Sequence, residues 1–186
     1  DRVLREAGGN QLAAAVDALI AADLVLEAAP GERREGRYRI KHAVTQEVAY
    51  NTLLVRRRVE LHRRVAAAFE TVLGDQVRDF YPALAHHYLL GEVPDKAAEY
   101  AWKAAQRAVS VHAHIESLRF AEQAAELFEK QGELDRVVES LQLAARVRRY
   151  RGETDAALAA YQRAAALLEQ RDPAGTGVVT IYALMA

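Results

Sequence analysis

His42, His62, His86, His87, His112 and His114 are the six imidazoles of this chain, the side chains best suited to proton transfer or metal binding near neutral pH. Their spacing argues against both roles. His86 and His87 are adjacent, so they point to different faces of a helix, and His112 and His114 stand two apart around a loop. Neither pair has the i, i+4 separation that brings two imidazoles to one helical face around a metal. The chain has no cysteine, which removes disulfides and thiolate metal sites. Glu122, Glu126 and Glu129 fall on the outer face of a helical pattern and are expected to be solvated. No Ser–His–Asp set stands out from chance. No GxxxxGK[S/T] or GxGxxG run follows a strand, so the chain carries no phosphate cradle of its own. The expectation is a chain with no catalytic residues, no metal and no cofactor.

What remains are groups that bind rather than react. Arg33 and Arg34 lie in the polar loop Pro30–Gly36, and Arg56, Arg57, Arg58, Arg63 and Arg64 make one helix strongly basic. Phosphate contacts are one reading of both clusters. The other is a solvated surface, or for the basic helix a face docked on an acidic neighbour. Glu32 and Glu35 offset the loop, and Glu60 is placed to pair with Arg64 at i, i+4. The formal net charge is −1, split as +2 over residues 1–74 and −3 over 75–186, so bulk electrostatics do not drive the chain onto nucleic acid or an anionic membrane. There is no membrane-length apolar run and no signal-peptide pattern, and a cytoplasmic location is expected. The chain begins at Asp1, has Met185 as its only methionine and ends inside an apolar run, which suggests a piece of a larger protein.

The elements that must position these groups are mostly helices. Hydrophobic residues make up 51% of the chain, dominated by alanine, which suits closely packed helices. Leu12, Ala15, Val16, Leu19 and Ile20 follow a helical period over Gln11–Ala22, after a Gly8-Gly9 breaker. Leu24–Leu26 and Tyr38–His42 read as two strands of a hairpin. At His42 the apolar period changes from two to three and four, through Ala43, Val44, Val48, Ala49 and Leu53. A strand therefore runs into a helix there. A second helix follows, with Val55, Val59, His62, Ala66, Phe69 and Leu73 as its apolar stripe. Helix, hairpin, helix is the outline of a winged-helix-like unit over residues 1–74.

Gly74–Asp79 connects this unit to a run of helices over 75–186. Tyr81–Tyr88 forms one apolar face, Pro94 opens the next helix, and Ile115–Lys130 closes on Gln131-Gly132. Leu134–Arg151 and Thr154–Gln170 form a further pair, ended by Pro173 and Gly175. The fold class expected is mainly α: a winged-helix-like unit with a short β-hairpin, then an α-α superhelix of helix pairs.

The pair over Val138–Arg171 resembles a tetratricopeptide repeat, a 34-residue helix–turn–helix unit. Ala145, Gly152, Ala157, Tyr161 and Ala164 fall on its small and aromatic signature positions, while Leu141 stands where the repeat has Trp. Two looser frames, one through Ala85, Tyr88, Ala97 and Ala104 and one through Trp102, Ala105, Ser117, Ala121 and Ala124, share a helix, which suggests an irregular array. In such repeats the first helix of each pair lines a groove. The resemblance places Glu139, Gln142, Arg146, Arg149 and Tyr150 on that face and implies a protein partner there. Two arginines on it suit an acidic peptide or a C-terminal carboxylate.

The stretch Tyr38–Phe69 resembles a segment of the signal-transduction ATPases with numerous domains. These include LuxR-like regulators of the maltose-activator type and bacterial proteins joining a nucleotide cyclase domain, a P-loop ATPase and helical repeats. The resemblance implies a regulatory region that couples to an ATPase core in cis, with ATP or ADP bound by that core. It also implies a role for His42. The family bears a Met-His-Asp-like motif at the strand–helix junction, and its histidine touches the ADP β-phosphate. Lys41 and Ala43 depart from the flanking positions. The other reading of His42 is a histidine bonded to the helix backbone or packed beneath the wing. A free-standing tetratricopeptide scaffold and a DNA-binding winged-helix module are the alternative functions.

Overall fold

The computed structural model describes residues 9–27, 38–171 and 176–185 of the 186-residue chain. The protein is mainly α with one two-stranded antiparallel sheet among the described residues. It divides into two compact units, Asp1–Gly74 and Asp75–Ala186. The loop carrying Arg33 and Arg34, the Gly8 position and the Pro173 and Gly175 breakers lie outside the described residues. No helix among the described residues is long and apolar enough to cross a membrane.

In the first unit, α1 spans Gly9–Ala21, starting earlier than its apolar period suggests. Strands β1 (Val25–Glu27) and β2 (Tyr38–Ile40) pair with Val25 opposite Ile40 and Glu27 opposite Tyr38. The pairing continues one step beyond β2, where the Lys41 N–H donates to the Leu24 carbonyl at 2.9 Å. Lys41 also bonds the Asp23 carboxylate, which fixes the corner after α1 and holds Asp23 below its ordinary carboxylate range. His42 is the last extended residue, at φ −123° and ψ 127°, and α2 (Ala43–Thr52) begins immediately after it. The expected change from strand to helix therefore falls at His42, with the strand itself ending at Ile40 rather than His42.

Helix α3 (Val55–Leu73) follows after a short corner at Leu53 and Leu54. Ala66, at the centre of its expected stripe, is buried, whereas Val55 at the head of that stripe is exposed. Glu60 pairs with Arg57 at 2.7 Å rather than with Arg64, and that guanidinium lowers its carboxyl below the ordinary range. The i, i+3 partner wins because Arg57 reaches the carboxylate along the same helical face.

A 3-10 turn, Gly74–Phe80, leads into the second unit instead of an irregular connector. The main helices then follow: α4 (Tyr81–Leu90), α5 (Pro94–Ser110), α6 (His114–Gln131), α7 (Leu134–Tyr150) and α8 (Thr154–Arg171). A shorter helix, α9 (Thr176–Met185), packs on α8. Each helix packs mainly on its neighbour in sequence.

The turns show why. Left-handed backbone recurs at equal intervals, at Glu92, His112, Gly132 and Gly152, with φ of 52°, 60°, 76° and 79°. Each turn closes the same way. The amides of Val93, Ala113, Glu133 and Glu153 donate to the carbonyls of Tyr88, Ala108, Phe128 and Arg148 at 2.9–3.0 Å. That is the bond of a Schellman cap, which satisfies a helix-end carbonyl and reverses the chain within one short turn.

The core follows the same spacing. Ala97, Ser117, Val137 and Ala157 are buried, and so are Ala101, Ala121, Leu141 and Tyr161, and Ala105, Ala125, Ala145 and Ala165. Helix pairs therefore repeat from Ala97 to Val137 and from Ser117 to Ala157, a longer step than the tetratricopeptide unit of about 34 residues. The array is regular, contrary to the irregular one expected. The two frames that share a helix are one register read a helix apart. Its small residues let neighbouring helices close on a centre of Ala104, Ala105, Phe120, Ala121, Leu143 and Ala144. Ser117 and Ser140 are fully buried without cost in lost hydrogen bonds, since Ser117 donates to the Ala105 carbonyl and Ser140 to that of Arg136.

Glu126 and Glu129 are exposed, as expected, and Glu122 is half-buried; Glu122 and Glu129 also tie helices together. Glu122 accepts from Arg148 of α7 and Glu129 from Arg163 of α8, the latter at 2.7 Å. Arg171 of α8 reaches Asp135 of α7 at 2.6 Å. An arginine stem is long enough to carry its guanidinium across one helix–helix seam, so an outer-face carboxylate near a seam finds a partner.

Candidate functional site

Helix α7 turns Val137, Val138, Leu141, Ala144 and Ala145 into the core. The spacing of those residues leaves Glu139, Gln142, Arg146, Arg149 and Tyr150 on the outer side, all exposed except half-buried Gln142. The five residues expected on one face are thus brought to one side of one helix.

They are not equivalent. Glu139 accepts from Arg136 at 3.0 Å and is already engaged. Arg136 also donates to Glu99 of α5 at 2.9 Å, and its guanidinium sits 5.5 Å from the Trp102 ring centre and 4.8 Å from that of Phe128. Arg146 and Arg149 have no carboxylate partner among the described residues, while Arg107, Arg136, Arg148, Arg151, Arg163 and Arg171 all do. Tyr150 is 86% exposed and stacks on His114, ring centres 5.7 Å apart and planes 24° apart. The His114 Nδ1 is enclosed beneath it with no partner among the described residues. The outer side of α7 therefore offers two uncompensated guanidinium groups one turn apart, with an exposed phenol ring at their end. That set can hold a carboxylate through charge-assisted hydrogen bonds and cover an apolar neighbour with the ring.

The repeat extends the surface. One helix pair before the α7 set, the equivalent positions on α5 are Glu99, Trp102, Gln106, Val109 and Ser110. The Arg136 contacts with Glu99 and Trp102 show that α5 and α7 lie side by side. Glu99, Trp102 and Arg136 were missed by reasoning from one repeat. The regular spacing of buried alanines was the signal that could have found them.

His42, at the junction before α2, is exposed and makes no side-chain cap bond to the helix. The paired histidines form ring contacts rather than a ligand set: His86–His87 at 5.5 Å and His112–His114 at 6.2 Å, both edge to face. The adjacent His86 and His87 rings meet even though they leave the helix in different directions. No group of three His, Asp or Glu side chains suited to a metal occurs among the described residues. An open cleft of about 600 Å³ lies beside the 3-10 turn, but its Arg107 is held by Asp79 and Ser110. No protein-family model matches the chain, and no curated protein matches it.

Proposed function

We propose that this chain is a regulatory and protein-binding region of a larger signalling ATPase, with helix pairs akin to tetratricopeptide repeats and a winged-helix-like first unit. The outer side of α7, extended by α5, receives an acidic or C-terminal carboxylate segment of a protein partner. The single observation that supports this is the pair Arg146 and Arg149, one turn apart and without a carboxylate partner among the described residues, in a unit where Arg136, Arg148, Arg163 and Arg171 pair across helices. Burying a carboxylate between two such guanidinium groups gains charge-assisted bonds without breaking existing ones. Binding there shifts the first unit against an ATPase core, a coupling free energy between two sites. His42 fits a nucleotide-sensing role in the parent protein, because its ring is exposed and free of a backbone cap bond, so an N–H can be offered to a phosphate oxygen. The nucleotide itself would be held by the ATPase core.

The test is calorimetric. Peptides ending in a free carboxylate after two acidic residues are titrated into the full chain, alongside their C-terminal amides. The free-acid peptide is expected to bind more tightly, and Arg146→Ala with Arg149→Ala to lower its affinity by about tenfold or more, from roughly 1.5–3 kcal/mol per charged hydrogen bond. Equal binding of acid, amide and double variant, with unchanged circular dichroism, would remove the α7 face from the reading.

A further inference from the structure

The first unit buries little for its length. Among its described residues only Val25 and Ala66 are buried, whereas every main helix of the second unit buries several side chains. A folded unit of this size depends on removing over half its chain surface from water. Helix α2 contributes no buried residue. Its Val44 is 71% exposed, with Val48 one turn on more than half exposed. Leu54, between α2 and α3, is 79% exposed, and Val55 follows it on α3. The contacts joining α2 to α3 are polar instead: Tyr50 to His62 at 3.0 Å, and Arg58 to Asn51 at 3.5 Å and over the Tyr50 ring. Four exposed apolar side chains, two on α2 and two at the start of α3, with polar side chains bonding the two helices to each other, mark an interface surface.

The surroundings define what covers it. Arg56 and Arg57 follow Val55 directly, and Arg63 and Arg64 come two turns further along α3. The carboxylate among them, Glu60, is bonded to Arg57. A second copy using the same patch would set arginines against arginines. An anionic lipid surface would meet the α3 arginines on one side only, since the α2 side of the patch carries Glu47 and neither Lys nor Arg, whereas lipid binding favours cations all around an apolar face. The complement is a protein surface with an apolar stripe and acidic edges. We propose that the α2–α3 corner docks an acidic amphipathic helix of a partner protein, whose apolar stripe covers Val44, Val48, Leu54 and Val55 and whose carboxylates meet Arg56 and Arg64. This deepens the regulatory reading by naming how the first unit engages a neighbour, and it is independent of the α7 face.

The experiment uses the full chain and a fluorescently labelled helical peptide with a leucine stripe flanked by glutamates, read by anisotropy. Micromolar binding is expected, weakened about fivefold or more between about 50 and 300 mM salt. Val48→Asp with Leu54→Glu is expected to reduce affinity about tenfold or more while leaving the melting curve in place, because both sites are exposed. Arg146→Ala with Arg149→Ala should not change it, which separates this surface from the α7 site. Three results would each overturn the inference: no binding, binding unchanged in the Val48/Leu54 variant, or equal binding of a scrambled peptide whose leucines circle the helix. Tighter binding to phosphatidylserine vesicles than to the peptide, lost in the same variant, would assign the corner to lipid and overturn it as well.

Discussion

Replacing Arg136 with alanine should destabilise the second unit more than replacing any other single arginine. The guanidinium joins three helices: it bonds Glu99 on α5 at 2.9 Å and Glu139 on α7 at 3.0 Å, and it lies over Trp102 of α5 and Phe128 of α6. Its side chain is 27% exposed, so neither bond is fully screened nor fully desolvated. Each partly exposed ion pair contributes roughly 0.2–1 kcal/mol, and each cation–π contact roughly 0.5–1 kcal/mol. The four contacts share one group and do not add fully, which brings the expected loss to about 2 kcal/mol. For the unit Asp75–Ala186 that is a fall of about 8 °C in Tm. Trp102 is the only tryptophan, so urea unfolding followed by its emission reads the affected seam directly. Arg136→Lys should lose about half as much, because an ammonium cannot bond both carboxylates in the plane of a fork. Glu139→Gln should lose less than about 0.5 kcal/mol, as an exposed intrahelical partner. A loss below about 0.5 kcal/mol for Arg136→Ala, with the Trp102 emission maximum unmoved, would refute the reasoning.

Two further expectations are local. Gly152→Ala should cost about 1 kcal/mol by chemical denaturation, because φ is +79° and a Cβ there meets nothing within 4 Å, so the penalty is backbone strain alone; an unchanged midpoint would contradict this. The Asp23 carboxyl should titrate below its ordinary value of 3.8 by NMR and return to it in Lys41→Met. Because its folded pKa is depressed, the stabilisation it gives the hairpin is present above the unfolded pKa and fades as pH falls through the folded one. A hairpin whose amide exchange is insensitive to pH in that acid window would show that the pair does not hold the corner.

Helix order and most helix ends were legible in the sequence, since they rest on short-range chemistry. Pro94 opens α5, Gly132 closes α6 in left-handed backbone, and the period change at His42 marks the start of α2. The longer register of the helix pairs was not, although every residue needed was in view. Alanine is so frequent that the tetratricopeptide frame and the longer one both find small residues at their signature positions. Only the turns at Glu92 and His112 separate them, and neither carries the glycine that would flag a left-handed residue. Arg136 was missed because its partners Trp102 and Glu99 lie two helices earlier in the chain. Val44 and Val48 expose a different gap. Their spacing says which side of α2 avoids water, but nothing in it says that the cover comes from elsewhere. On the α7 face, the pattern identified the outward residues, yet it could not show that Glu139 is occupied while Arg146 and Arg149 are not.

The identical spacing of the turns gives the second unit a parity. Because each step from one left-handed turn to the next places one helix and reverses the chain, successive helices run in opposite directions. Losing or gaining a whole pair would keep every later helix in its original direction. Losing a single helix would reverse every helix from that point onward, so that the helix carrying Arg146 and Arg149 would be followed by one running in the wrong direction. Chains of this design can therefore lengthen or shorten without reversing their later helices only in whole pairs, and the natural unit of change in them is the pair rather than the helix.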